Sequence, residues 1–179
     1  MNEITMTDVA SDALSNNTLG LEFEPSATPQ KQVDKMVIIM RGLPGSGKSY
    51  WVEQFLKSQP IDVSIAIRQR GLFSTDQLFM VNGEYQFNSK KLPEYHQRNL
   101  TLFIHALACG EPIVICDNTN LAHWEFMAYD AAARALGYPV RLVLIGDPAE
   151  KDHQILCAKR NRHGVSFDAI SRMAKMFEA

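Results

Sequence analysis

Gly42, Gly47, Lys48 and Ser49 satisfy the spacing G-x-x-x-x-G-K-[ST], a pattern whose every position serves phosphate binding. Glycines at 42, 45 and 47 let the backbone take conformations closed to other residues, so that N–H groups turn inward on phosphate oxygens. Lys48 is placed to reach the β- and γ-phosphates, and the Ser49 hydroxyl to ligate Mg²⁺. The loop Gly42, Leu43, Pro44, Gly45, Ser46, Gly47, Lys48, Ser49 and Tyr50 is therefore expected to bind ATP with Mg²⁺. At average residue frequencies a chain this long matches the pattern by accident on the order of once in a hundred times or less. Here it also lies between a strand pattern and a helix pattern.

Such a loop serves switches, motors and phosphotransferases alike, so the polar residues at other strand ends must discriminate. "FSTDQLF" puts Asp76 just past an apolar run, and "ICDNTNL" does the same for Asp117. Ligands of parallel α/β sheets bind at the carboxyl ends of strands. A carboxylate there accepts the proton of an attacking hydroxyl or holds the waters of Mg²⁺. Asp76 is expected as general base and Asp117, with Ser49, at the metal; from the sequence the two roles remain exchangeable. An Asx turn ending a strand is the alternative for either. Thr119 and Asn120 read as a turn residue and a helix N-cap.

The third constellation is "AKRNRHGVS", where Lys159, Arg160, Arg162 and His163 precede Gly164 between two helical patterns. Phosphoryl transfer spreads charge over equatorial oxygens, and arginine stabilises it. A helical lid hinged at Gly164 would bring Arg160 and Arg162 in on closure and exclude water. The bland reading is a solvated basic loop at a helix C-terminus. His96, His105, His123 and His153 have no metal-ligand spacing. Cys109, Cys116 and Cys157 sit in apolar surroundings and are expected to be reduced and buried. Trp51 and Trp124 read as core anchors.

The elements that must hold these residues alternate. "MVIIM" (36–40), "GLFS" (71–74), "PIVIC" (112–116) and "VRLVLIG" (140–146) read as strands, and "VSIAI" (63–67) as an extension or edge of the sheet. Near-continuous apolar runs predict strands covered on both faces. Helices are expected after Lys48, from Pro93 to a stop at Gly110, over "LAHWEFMAYDAAARAL", over "AEKDHQILCAKR", and from Ser166 with Phe167, Ile170, Met173 and Phe177 on one stripe. The fold class is α/β: a P-loop NTPase with a parallel sheet of about four strands flanked by helices and a helical lid.

Residues 1–34, acidic, polar and with two prolines in "EPSATPQKQ", read as a disordered tail. A short motif for a protein partner is its functional alternative. Residues 35–179 read as the folded domain. Net charge is −2 overall and −4 over residues 1–35, which leaves +2 on the remainder. That excludes a strongly basic protein while permitting a locally basic site. The N-terminus lacks the layout of a secretory signal and no apolar run is long enough to span a bilayer, so cytoplasmic residence without membrane contact is the expectation.

Assembled, "GLPGSGKS", "STD", "VICDNTNL" and "KRNRHGV" with Ile170 and Met173 resemble the polynucleotide-kinase-type P-loop kinases in order and spacing. "GEYQFNSKKL", "DNTNLAHWEFMAY" and "NRHGVSFDAISRM" are similar to the kinase-like domain of the Nedd-binding protein group. The likeness covers residues 36–179. It implies ATP with Mg²⁺, Asp76 as general base and Arg160 in the lid. Arg162 corresponds only loosely to a second lid arginine, and either Asp117 or Asn118 matches the family's D-T-N turn. Phe79 stands where the family has an arginine gripping a nucleic-acid phosphate, and an aromatic there is able to stack a base. Arg68, Arg70, Lys90, Lys91 and Arg98 flank Asp76 and are expected on the acceptor side. Three functions remain: a kinase acting on a hydroxyl of a nucleic acid or nucleotide, a small-metabolite or antibiotic kinase, and a nucleotide-binding interaction module with little turnover.

Overall fold

The computed structural model describes residues 34–179; the tail expected over 1–34 thus lies, but for its last residue, outside the described residues. The strands in chain order are β1 (Met36–Arg41), β2 (Leu72–Phe73), β3 (Met80–Val81), β4 (Glu84–Tyr85), β5 (Ile113–Cys116) and β6 (Val140–Leu144). The helices are α1 (Lys48–Lys57), α2 (Ile61–Ala66), α3 (Leu92–Ala108), α4 (His123–Ala135), α5 (Lys151–Arg160) and α6 (Phe167–Ala174). Four strands form one parallel sheet in the order β2-β5-β1-β6, and β3 and β4 form a separate hairpin.

The apolar run of β1 has a direct structural cause. Val37 and Ile39 face a core closed by α3 and α4 (Phe103, Leu107, Phe126, Tyr129), while Ile38 and Met40 face Val52 and Leu56 of α1. A central strand covered on both sides leaves no position for a polar residue. β6 departs from that expectation. It is an edge strand, and Arg141, Leu142 and Leu144 are exposed.

"VSIAI" is not a strand. It is α2 running into one π-helical turn (Ile67–Gly71). Ile67 is buried and Val63 packs against the same cluster, whereas Ile61 and Ile65 face solvent. Val63 and Ile67 are four apart, so the helical spacing decides over β-branched composition. The hairpin is the converse case: no strand was expected there, although Asn82 (φ +52) and Gly83 (φ +86) make the two-residue Asn-Gly turn that signals one. Cys116 and Cys157 are buried free thiols, with Cys116 pushed up to about 12 by burial, but Cys109 is exposed at the end of α3. Trp124 is also exposed.

Asn120 is not the N-cap of α4. It adopts φ +46 and its buried amide donates to the Met40 carbonyl at 2.8 Å. Ala122 occupies the cap position, and the nearby free N–H groups of Leu121 and His123 are taken by the carboxylates of Glu125 (2.9 Å) and Glu178 (2.6 Å). Arg41, at the end of β1, is buried between the rings of Phe126 and Phe177, 4.7 and 4.9 Å from its guanidinium. Its Nε donates to the Asn120 carbonyl (2.9 Å) and its Nη2 to the carbonyls of Leu121 (2.8 Å) and Glu178. One side chain thus ties the central strand, the loop after β5 and the C-terminal segment. Arg41→Met keeps much of the stem and orphans these three carbonyls, so it should lower unfolding free energy by about 3 kcal/mol in a denaturant titration.

Candidate functional site

Three strand ends converge at the carboxyl edge of the sheet. β1 leads into the glycine loop, β5 ends one residue before Asp117, and β2 ends three residues before Asp76. Gly47 (φ +106) opens α1 with no side-chain cap, so the first N–H groups of that helix remain available to an anion. Leu43 is fully buried beneath the lid, in contact with Leu121, Cys157 and Ile170. Tyr50 is 70% exposed on the first turn of α1.

The Lys48 ammonium is buried and donates to the loop's own carbonyls, Gly42 at 3.0 Å and Leu43 at 2.9 Å. Burial holds it below the ordinary lysine range, opposed by the carboxylates of Asp117 and then Asp76. The Ser49 hydroxyl donates to Asp117 Oδ2 at 2.7 Å. Burial pushes the Asp117 carboxyl up, against the Ser49 hydrogen bond and the nearby Lys48 charge. Asp117 Oδ1 and the Ser46 hydroxyl are buried and, among the described residues, have no hydrogen-bond partner. Orphaned buried polar atoms cost about 1–3 kcal/mol each, and native structures keep few without a reason. Phosphate oxygens and a hydrated cation would complete both. The residues present therefore fit Mg·ATP.

Neighbouring residues of the turn after β5 carry different tasks here. Asn118 Oδ1 accepts from the Thr75 N–H at 2.9 Å and ties the segment carrying Asp76 to the end of β5. Asp117 is the residue that faces Ser49 in the turn. Asp76 itself is exposed. The Tyr85 hydroxyl donates to its Oδ1 at 3.3 Å, and His163 Nε2 lies 3.6 Å from its Oδ2. Burial and the Asp76 carboxylate push the Tyr85 hydroxyl up to about 12.

The lid expected from the basic cluster is the pair α5 and α6 with the turn between them. Its base rests on the loop: a Cβ on Gly45 (φ +80) would lie 2.8 Å from the Asn161 nitrogen, so only glycine admits the approach. Arg160 and Arg162 are exposed and, among the described residues, form no ion pair. Arg68 and Arg70 are engaged elsewhere. Arg68 makes a bidentate pair with Glu53 (2.7 Å), and Arg70 binds Glu111 beside the amino end of β5 (2.5 Å), the opposite edge of the sheet. The expectation of both on the acceptor side is thereby corrected. Phe79 is also corrected. It is 1% exposed, packed among Tyr85, Phe87 and Tyr95, and is closed to a stacking base.

Residues 37–179 match the family model of the AAA domain. The chain belongs to the AAA domain family, whose members of this type carry a P-loop. Human NEDD4-binding protein 2 is 34% identical over 164 residues, covering 87% of this chain and 9% of that protein. Rat YLP motif-containing protein 1 is 26% identical over 169 residues, 84% of this chain and 12% of the relative. The human protein of the same name is 26% identical over 168 residues, 83% and 8%. The chain thus spans about a tenth of the length of the curated relatives it matches. No helix among the described residues is long and apolar enough to cross a membrane.

Sequence reasoning passed over Tyr85 and the clasp of Asn118 on Thr75. The Asn-Gly turn signals the hairpin that carries Tyr85, but nothing local to the sequence shows that the hairpin folds back onto Asp76. If Lys48 contacts the phosphates, as its place in the loop implies, nucleotide binding needs its charged form, which prevails below its lowered pKa. ATP affinity, measured by calorimetry, should therefore fall on the alkaline side at a lower pH than an ordinary lysine titrates. Lys48→Ala should bind weakly throughout and show no such step.

Proposed function

We propose that residues 35–179 form an ATP-dependent phosphotransferase acting on a hydroxyl of a nucleic acid or nucleotide. The observation that carries the reading is the placement of Asp76. It is an exposed carboxylate held near Lys48 and Asp117, close enough to influence Lys48, while Asp117 is occupied by Ser49. A nucleotide-binding module with little turnover has no use for a second, solvent-open carboxylate at that place. The division of labour follows from these surroundings. Ser49 and Asp117 would hold Mg²⁺, which supplies charge neutralisation between the β- and γ-phosphates when bound. Lys48 and the loop N–H groups bind the phosphates and orient the γ-phosphorus. Asp76 takes the proton of the acceptor hydroxyl as its oxygen bonds to that phosphorus. The bond to the β,γ-bridging oxygen breaks and ADP leaves. Arg160, and with it Arg162, would stabilise the charge on the transferring group from the lid.

Support for the acceptor class is the family likeness together with a folded part of mildly basic charge. With Phe79 buried and Arg68 and Arg70 in other pairs, phosphate grips beside Asp76 are few, and Lys90, Lys91 and Arg98 are the remaining cations of that segment. The same observation favours a second reading, a small-metabolite or antibiotic kinase. The name of the human relative records binding to NEDD4 by that protein; for this chain we assign any protein partner to the tail over residues 1–34, and residence to the cytoplasm.

Incubation with γ-labelled ATP, Mg²⁺ and 5′-hydroxyl DNA or RNA oligomers tests the reading. Label transfer should occur with a shallow dependence on salt, since few phosphate contacts release few counterions. Transfer to small alcohols or aminoglycosides alone would establish the second reading instead. Asp76→Asn keeps shape and removes basicity, so kcat should fall by roughly 10²–10⁴-fold with ATP affinity unchanged. A fall in ATP affinity with altered metal dependence would make Asp76 the Mg²⁺ group.

A further inference from the structure

Asp76 is held from two elements besides its own. Tyr85 on the hairpin donates to Oδ1 at 3.3 Å, and His163 in the lid turn places Nε2 3.6 Å from Oδ2. The two partners also touch each other, ring centroids 4.2 Å apart and tilted by 45°. Each carboxylate oxygen therefore has a neighbour on a different segment, and the two segments brace one another above it.

The lid turn is built to deliver His163. Asn161 closes it from within: its amide donates to the carbonyls of Ala158 (2.8 Å) and Val165 (2.9 Å), and its Oδ1 accepts from the Val165 N–H (2.7 Å). Gly164 takes φ +67 at the tip. Asn161 is also the residue whose backbone rests on Gly45 of the phosphate loop. One short rigid turn thus joins the phosphate loop at its base to Asp76 at its tip.

We propose that His163 is a positioning residue that orients the Asp76 carboxylate, with Tyr85 as its second anchor, so that seating of the lid on the phosphate loop and alignment of the base are one event. The inference rests on Asp76 being the general base. An exposed carboxylate turns freely about χ1 and χ2, and a base off line by a fraction of an ångström loses much of its effect. His163, as an imidazolium, pairs with one oxygen and Tyr85 donates to the other, leaving the remaining lone pairs of each to face the acceptor hydroxyl.

Two experiments on the full chain test this. The first needs no acceptor. The imidazole ¹⁵N spectrum should show the His163 Nε2 resonance shifting on both Asp76→Asn and Tyr85→Phe; an unmoved resonance in both would overturn the contact. The second measures transfer from γ-labelled ATP to a 5′-hydroxyl oligothymidylate. His163→Ala should lower kcat by about tenfold with the ATP KM within about twofold, and His163→Gln, which offers an amide nitrogen near the Nε2 position, should recover most of it. In the Asp76→Asn background His163→Ala should have no further effect. A full-strength loss in that background, or wild-type kcat for His163→Ala beside a crippled Asp76→Asn, overturns the inference and leaves the base assignment standing. Full turnover by Asp76→Asn removes the base assignment and the inference with it.

Discussion

The burial of the Lys48 ammonium is the constraint on which the site depends. A positive charge withdrawn from water must find carbonyls and carboxylates close by, or it gives up its proton. The loop itself supplies the carbonyls of Gly42 and Leu43. The carboxylates come from elsewhere in the chain: Asp117 past the end of β5 and Asp76 beyond β2. Only a sheet with β5 between β1 and β2, all three running the same way, sets both acids beside that lysine. Strand order and electrostatics are in this sense one arrangement.

A second buried cation performs the corresponding task for structure. Arg41, at the end of the central strand, collects carbonyls from Asn120, Leu121 and Glu178. The loop after β5 is thereby fixed by Arg41 and the Asn120 amide on one side and by the Thr75–Asn118 hydrogen bond on the other. Asp117 directly precedes these attachments and its own N–H donates to the Phe73 carbonyl at 2.8 Å, which accounts for how a half-buried carboxylate with one oxygen unpartnered among the described residues is held in place. The C-terminal segment shares in this, since the Glu178 N–H donates to the Leu121 carbonyl at 3.0 Å and its carboxylate caps the start of α4. The end of α6 is consequently tied to the sheet, while the turn before α6 carries the lid's polar tip.

The lid is one of the smaller cores of the molecule. Leu43, Leu121, Cys157 and Ile170 are buried together there, with Met173 and Phe177 packed around them. Leu43 belongs to the phosphate loop and Leu121 to the loop after β5, so apolar burial, not only charge, joins the lid to both. The stripe of Ile170, Met173 and Phe177 is the lid's half of that contact.

Much was legible from local pattern because it obeys local rules. The glycine loop declares itself by spacing, and a doubly covered strand by a run such as "MVIIM". Ser166 accepts from the Ala169 N–H as an N-cap should, and Gly110, at φ +82, ends α3 where the helical texture stops. Those features depend on backbone geometry within a few residues. What the sequence could not decide are the matters set by partners far along the chain. "VSIAI" has strand-like composition, but Ile67 and Val63 find a core that rewards helical spacing. Asn120 has a good cap's side chain, but the Met40 carbonyl, 80 residues away, claims it. Arg68 and Arg70 immediately precede Asp76's strand in sequence yet pair with Glu53 and Glu111, and Phe79 is drawn into an aromatic cluster that local pattern does not reveal. The sequence alone determined which groups are able to bind a nucleotide and in what kind of fold. Only the tertiary structure decided which carboxylate meets Ser49 and which meets Tyr85 and His163, because hydrogen bonds and burial between distant segments are settled by packing, not by neighbourhood in the chain.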